Sequence, residues 1–437
     1  KARANQFIKY RDQHNSCRIY KAISYFKAQY TLKNKVKYDI VSQHLFKRFR
    51  KNKYYFKTMD KYNSVVSKVL PTKKDLIVFE SNVGKTVGDS PKVIYDTLKQ
   101  YHHHYDIVWV TNQDYPFNDP HVTTVERLSP EYFHYLSRAK YWINNQNFPY
   151  YLAKPKDTIY IQTWHGTPLK KMLNDVDTFE GRDEGYKDRV NQAIKNWDYL
   201  ISPSPYASKC FKSAFNFKKE ILEIGYPRND IFYSNNEAQL EVKKKMIKQK
   251  LGIKDQRKVI LYAPTFRDDD INKAKKHIIK LHMDLQKMKE NFEEEYILIL
   301  RPHIIISNAL HLDASLDEFV INASAYDDIS DLYLITDICI TDYSSVMFDF
   351  ANTKKPMLFF TYDLDYYKNQ LRGFYFDFEQ TAPGPLVRTN DELIDAIKRI
   401  ETVREHYGEK YDAFYERFCR FETGHAAEAI VKRFFLN

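Results

Sequence analysis

From Asp75 onward two patterns alternate along the chain. Short runs of β-branched and aromatic residues are separated by longer stretches with apolar positions at helical spacing. The runs predict strands at Leu76–Phe79, Ile107–Val110, Tyr141–Ile143, Thr158–Gln162, Tyr199–Ile201 and Ile221–Ile224. A second set is predicted at Val259–Tyr262, Tyr296–Leu300, Phe319–Ile321, Ile338–Thr341 and Met357–Phe360. Helices are predicted among them over 91–101, 189–197, 237–250, 272–291, 327–336 and 391–402. Nearly continuous apolar strands alternating with helices imply parallel sheets covered on both faces. The strands are too many for one sheet, and the charged stretch 236–257 divides them. The expected fold class is α/β, with two Rossmann-like domains, 75–225 and 226–437.

Residues 1–74 read differently. Ile19, Ile23, Phe26 and Tyr30 recur at helical spacing, as do Val41, Leu45 and Phe49, so two or three amphipathic helices are expected. This leader holds 20 Lys and Arg against Asp12, Asp39 and Asp60. Its charge of +17 within a chain of net +11 leaves −6 for the remainder. A basic, aromatic leader on a mildly acidic body points to a polyanion: an anionic membrane surface, an acidic polymer or nucleic acid. A helical bundle with a solvated basic face is the plainer alternative.

Composition narrows the class. At 437 residues and 43% hydrophobic, the chain can bury a core and is not broadly disordered. Cys17, Cys210, Cys339 and Cys419 show no C-x-x-C spacing, which argues against a zinc ribbon or disulfide scaffold and fits a reducing compartment. No run of about 18 apolar residues exists to span a membrane. The chain begins at Lys1 rather than Met, so any upstream domain or targeting signal lies outside what it reports.

Ligands of open α/β sheets bind beyond the carboxyl ends of the strands. Five predicted strand ends carry unusual polar clusters: Thr163–Pro168, Gly225–Asp230, Ala263–Asp268, Arg301–His303 and Asp342–Ser345. They come from both domains, which places the expected site in the cleft between them. His165, flanked by Gly166 and Pro168, and His303, after Pro302, could act as base and charge stabiliser. Arg228, Arg267 and Arg301 could clamp phosphate oxygens. Ser344 and Ser345 open an expected helix, where hydroxyls and free N–H groups favour an anion; taken alone they read as an ordinary N-cap. Other signals carry less. Gly84-Lys85-Thr86 resembles the end of a P-loop, but Phe79 stands where that loop needs Gly. His102–His104 lacks companion ligands, and Asp268–Asp270 reads as a solvated loop.

Taken together the clusters resemble a family. Gln162–Lys171 (QTWHGTPLKK) is similar to the hallmark of the CDP-glycerol glycerophosphotransferases that build wall teichoic acid. Gly225–Asp230, Tyr262–Arg267, Arg301–His303, Thr341–Phe350 and Arg372–Asp377 resemble further blocks of that family, in its order, over roughly 75–437.

The resemblance implies a glycosyltransferase-B-like fold, with an acceptor-side first domain and the donor nucleotide held mainly by the second. It implies transfer of glycerol 3-phosphate from CDP-glycerol to the terminal hydroxyl of a lipid-linked poly(glycerol phosphate) chain, with release of CMP. It makes His165 and His303 the expected catalytic residues. Gly166, Arg228, Asn229, Thr265, Arg267, Arg301, Asp342, Ser344 and Ser345 are the expected substrate contacts. No cofactor is required by this scheme, with Mg2+ on the diphosphate left open. The expected partners are CDP-glycerol, a membrane-anchored polyprenyl-diphosphate-linked acceptor and an anionic membrane surface; nucleic acid is not among them. The expected location is the cytoplasmic face of a bacterial membrane, as a peripheral protein. A ribitol-phosphate transferase or single-unit primase of the same family, a transferase using another sugar nucleotide, and a non-catalytic polymer-binding protein are the alternatives.

Overall fold

In a computed structural model, residues 48–101, 104–176, 183–265, 281–302, 313–364 and 373–436 are described. Most of the leader, His102, His103, Arg267, the Asp268–Asp270 run, His303, Arg372 and the first part of the expected helix 272–291 lie outside these residues.

Among the described residues, two sheets form, and every strand pairs in parallel. The first holds β1 (Lys73–Glu80), β2 (Asp106–Val110), β3 (Val122–Val125), β4 (Ala139–Asn144), β5 (Ile159–Gln162), β6 (Tyr199–Ser202) and β7 (Glu220–Glu223), in the order β3-β2-β1-β4-β5-β6-β7. The second holds β8 (Lys258–Tyr262), β9 (Tyr296–Leu300), β10 (Val320–Asn322), β11 (Ile338–Thr341), β12 (Met357–Phe360) and β13 (Leu386–Val387), in the order β10-β9-β8-β11-β12-β13. The eleven predicted strands are all present. The two missed, β3 and β13, are edge strands; β3 reads Val-Thr-Thr-Val and β13 has two residues, so neither makes an apolar run. This is the expected α/β class, in a glycosyltransferase-B-like arrangement.

Each sheet has apolar cores on both faces, as parallel strands buried on both sides require. Two helices complete the first domain from distant parts of the chain. Tyr55–Val69, which the sequence reading placed in the leader, turns Tyr55, Met59, Asn63 and Val66 inward. Tyr55 Oη donates to Leu128 O (2.6 Å) and Asn63 Nδ2 to Ser137 Oγ (2.8 Å). The last helix, Ala426–Phe435, leaves the second domain altogether. Its Ala427, Ile430, Val431, Phe434 and Phe435 repeat at helical spacing and join Ile77, Trp109 and Tyr141 in the core of the first sheet. The stretch 226–437 is therefore not one unit in space.

The chain crosses between domains twice, and the crossings touch. Gly225 has φ +86°, and a Cβ there would lie 2.7 Å from Phe421 O, so only glycine fits this close approach. Asp230 accepts from Ala426 N (3.0 Å) and Ala427 N (2.8 Å), capping the returning helix.

At the end of β1, Glu80 is fully buried and takes bonds from Asn144 Nδ2 (3.1 Å) and Arg127 Nε (3.4 Å). Burial outweighs the Arg127 charge and pushes its pKa from 4.5 to about 7. A raised folded pKa gives stability that is fully present below the unfolded pKa and is lost as pH rises through the folded value. Relative to Glu80→Gln, the native protein is expected to lose about 3 kcal/mol between pH 4.5 and pH 8, read by urea unfolding at each pH. Ile430→Ala is expected to cost about 2–5 kcal/mol by the same measurement, because it opens a cavity against the first sheet.

Candidate active site

Strand order reverses between β1 and β4 in the first sheet and between β8 and β11 in the second. The loops leaving these neighbours form the crevices where α/β sheets bind ligands. In the first domain they carry Asn82, Asp89 and Asn145; in the second, Thr265, Asp342, Ser344 and Ser345. Thr265 N donates to Asp342 Oδ1 (2.9 Å), which ties the two loops of the second crevice together.

The two domains touch beside the expected base. A Cβ on Gly166 would lie 3.2 Å from Ser345 Oγ, so glycine lets the His165 turn approach the serine loop. Ser345 is exposed and its side chain makes no capping bond. Ser344 Oγ accepts from Val346 N (3.3 Å). The helix that follows, Val346–Phe350, has only five residues before a 3-10 turn. The macrodipole expected from sequence is thus small, and the chemistry offered here is chiefly that of the hydroxyls.

His165 Nδ1 lies 2.8 Å from Asn145 O. A carbonyl only accepts, so Nδ1 carries the proton and the neutral ring presents its lone pair at Nε2. His165 is exposed, yet protein crowds the imidazole closely enough to desolvate it. That crowding holds its pKa below 6.5, against the Asn145 carbonyl and the Asp89 carboxylate, while the Arg228 guanidinium adds to the lowering. Trp164, just before it, has φ +56°, an uncommon conformation for a bulky residue. The indole is wedged against Trp197, Phe211 and Phe215, with ring centroids 4.7–6.2 Å apart, and Trp164 N donates to Gln162 Oε1 (2.9 Å).

The other expected contacts divide. Arg228, expected to clamp phosphate, is 4% exposed and engaged by carboxylates: Nη2 lies 2.9 Å from Asp349 Oδ1, and Nη1 lies 3.3 Å from Asp89 Oδ1. Asn229 is 1% exposed and donates to Asp349 Oδ1 (3.1 Å) and Glu422 Oε1 (2.8 Å). A buried guanidinium draws carboxylates around it, and both residues join an interdomain network. Arg301 donates through Nη1 to Ser324 O and through Nη2 to Tyr326 O (3.0 Å), which anchors the strand end that leads to His303. His303 and Arg267 lie outside the described residues.

Sequence reading missed Asn145, Asp89 and Asp349. Asn145 stands in a polar run, Asn144–Asn147, that leaves a predicted strand, and this was the available signal. Asp349 lies inside a quoted block, yet its role depends on a partner 121 residues away. The block Arg372–Asp377 also finds a place: Lys171 N donates to Gly373 O (2.9 Å) and Tyr375 N to Leu169 O (3.0 Å), an antiparallel bridge across the domains. A cavity of about 230 Å³ lined by Lys258, Lys354, Lys355 and Arg404 opens at the amino ends of the second sheet's strands, away from these loops. Among the described residues no three His, Cys, Asp or Glu gather as a metal site, and no helix is long and apolar enough to cross a membrane.

Comparison with known proteins agrees with this geometry. Residues 62–436 match the family described as CDP-Glycerol:Poly(glycerophosphate) glycerophosphotransferase. The chain is 39% identical over 419 residues to a teichoic acid poly(glycerol phosphate) polymerase of Bacillus subtilis (strain 168), covering 93% of this chain but 55% of that protein. It is 41% identical over 372 residues to a protein of the same description from Bacillus spizizenii, covering 83% of this chain and 93% of that one. Among solved structures, the wall teichoic acid polymerase TagF, as a histidine-to-asparagine variant soaked with CDPG, superposes with a TM-score of 0.80 at 38% identity. That likeness covers 88% of this chain and 96% of the TagF chain. The chain spans about half the length of the first of these relatives and nearly all of the second. With the family model spanning both domains and the site between them, the chain belongs to the CDP-glycerol:poly(glycerophosphate) glycerophosphotransferase family.

Proposed function

We propose that this protein transfers glycerol 3-phosphate from CDP-glycerol to the terminal hydroxyl of a poly(glycerol phosphate) chain in wall teichoic acid synthesis, releasing CMP. The observation that carries the reading is His165: a histidine with a fixed tautomer and a lowered pKa, seated where Gly166 of one domain meets Ser345 of the other. In this reading the acceptor oxygen attacks the β-phosphorus of CDP-glycerol. The bond from that phosphorus to the CMP oxygen breaks, and His165 Nε2 takes the hydroxyl proton. Ser344 and Ser345 offer hydroxyls to the diphosphate. Thr265, Asp342 and Arg267 line the nucleotide side. Arg301 holds the end of its strand, and His303 is assigned to the charge on the departing CMP, a role carried over from the family motif.

The acceptor is read as lipid-linked, and the protein as bound to an anionic membrane face. Support comes from the outer side of the helix Tyr55–Val69. Lys57, Lys61 and Lys68 are exposed there beside Tyr62 (37%), Val65 (60%) and Val69 (71%), with Tyr54 (59%) and Leu70 (40%) at its ends. Apolar side chains among lysines suit a lipid interface, each lysine adding about 1 kcal/mol on an anionic surface.

CMP release is the direct test. Release from CDP-glycerol is expected to depend on a glycerol phosphate acceptor and to fall by about 10²–10⁴-fold in His165→Ala and in His303→Ala. CDP-ribitol is expected to be a poor donor; preference for it would overturn the choice of polyol. Because the neutral imidazole is the active form and its pKa is lowered, the acid limb of kcat/KM is expected below pH 6.5. Sedimentation with phosphatidylglycerol vesicles is expected to weaken in Lys57→Glu/Lys61→Glu/Lys68→Glu and in Val65→Asp/Val69→Asp. Unchanged binding in both would remove the helix from the membrane surface.

A further inference from the structure

The carbonyl that accepts the His165 Nδ1–H hydrogen bond is itself held in place. Asn145 Oδ1 accepts from Asn82 N (2.8 Å), and Asn145 Nδ2 donates to Asp89 Oδ2 (2.9 Å) and to Asn82 Oδ1 (3.2 Å). Three of the side chain's hydrogen-bonding capacities are thus spent on fixing one residue, whose backbone oxygen points at an imidazole. Asp89 is fixed in turn. It opens its helix with φ +57°, and its Oδ1 takes the Arg228 Nη1 bond of 3.3 Å. Arg228 then reaches Asp349, in the short helix that Ser345 opens. Ser345 lies against Gly166, the residue after His165. The contacts close a ring: His165, Asn145, Asp89, Arg228, Asp349, Ser345, Gly166, and back to His165.

We propose that Asn145 and Asp89 are positioning residues for His165, and that Arg228 couples their placement to the second domain, so that the base is aligned only while the domains are docked. The inference rests on the transferase reading for its kinetic consequence. Its structural content, one tautomer and one ring orientation, can be read without turnover. A ring anchored at Nδ1–H keeps Nε2 free of its proton in the neutral state; a ring released from Asn145 samples both tautomers. Misplacement of a base by about 1 Å costs on the order of 10²-fold in rate even when substrate still binds. The charged groups facing the imidazole are Asp89 and Arg228. Removing the Asp89 charge takes away an anion that raises the His165 pKa and leaves Arg228, which lowers it, less neutralised. Both effects move the pKa down.

Asp89→Asn and Asn145→Ala test this in the full chain; both leave Arg228 and Asp349 paired, whereas an Arg228 variant would strand Asp349 in the interior. With histidine labelled by 15N and the His165 signals assigned by their loss in His165→Gln, the native ring is expected as a single Nδ1–H tautomer. Asp89→Asn is expected to titrate at lower pH than the native ring and to mix tautomers. Asn145→Ala, which removes no charge, is expected to mix tautomers. With CDP-glycerol, kcat is expected to fall about 10–100-fold in each, with KM within about threefold. If one variant fails to fold, the other decides. Folded variants that keep the native tautomer, titration and kcat overturn the proposal, and so does a lowered unfolding midpoint with an unaltered imidazole. Native protein that shows the single tautomer but releases no CMP would overturn the transferase reading and leave the positioning intact.

Discussion

A guanidinium cannot lie in a protein interior without carboxylates to receive it, and at Arg228 that demand shapes the molecule. Asp89 stands 139 residues before it and Asp349 stands 121 residues after it, on different domains. Breaking a buried pair by removing one partner costs about 3–5 kcal/mol, because the remaining charge is stranded. The arrangement therefore resists separation of the domains at this point. Asn229, next to Arg228, extends it to Glu422, whose burial pushes its carboxyl up to about 8 despite the Asn229 bond. Both interdomain crossings of the chain thus meet the same polar cluster.

Backbone strain on the turn that carries His165 is the second constraint. A tryptophan at φ +56° costs on the order of 1–3 kcal/mol and persists only where its surroundings over-determine it. Trp197, Phe211 and Phe215 do so by enclosing the indole, and Gln162 does so by receiving the Trp164 N–H. Phe211 and Phe215 belong to the helix Pro205–Ala214 and its C-cap, so packing in the first domain sets the turn that carries His165. Gly166 then brings this rigid turn within contact of the second domain. The site is built from one strained segment, one close approach and one buried cation.

The domains are joined by more than this cluster. The bridge between Lys170 and Phe374 continues the same segment, His165 to Lys171, into an antiparallel contact with the second domain, and Tyr375 Oη reaches Asp175 beyond it. Tyr206 Oη donates to Pro168 O (2.7 Å), while its ring packs on Phe418 and Phe376. A stretch of about ten residues therefore carries His165, meets the serine loop and is tied to the second domain at its far end. Contacts of this kind favour a docked pair of domains over independently moving ones.

Local chemistry determined much of this from sequence alone. A buried parallel strand must be apolar nearly throughout, so the nine internal strands were legible, and so were the edge strands β7 and β10, which keep apolar runs; β3 and β13 were not, because one is half threonine and the other has two residues. The same reasoning placed His165, Thr265, Asp342, Ser344 and Ser345 at strand ends, where the fold indeed gathers them. Ser129-Pro130 and Ser204-Pro205 are local helix-start signals of the same kind, and each opens a helix of the first domain. What sequence could not decide was which face or partner a polar residue would meet. Arg228 looks like a phosphate clamp until Asp89 and Asp349 arrive; Asn145 looks like loop until its carbonyl accepts the His165 N–H; the last helix belongs to the second domain until it packs on Ile77 and Trp109. These outcomes rest on pairs separated by 20 to more than 300 residues, and chain order holds no record of such distances. Only the folded structure brings the partners together and so determines each residue's role.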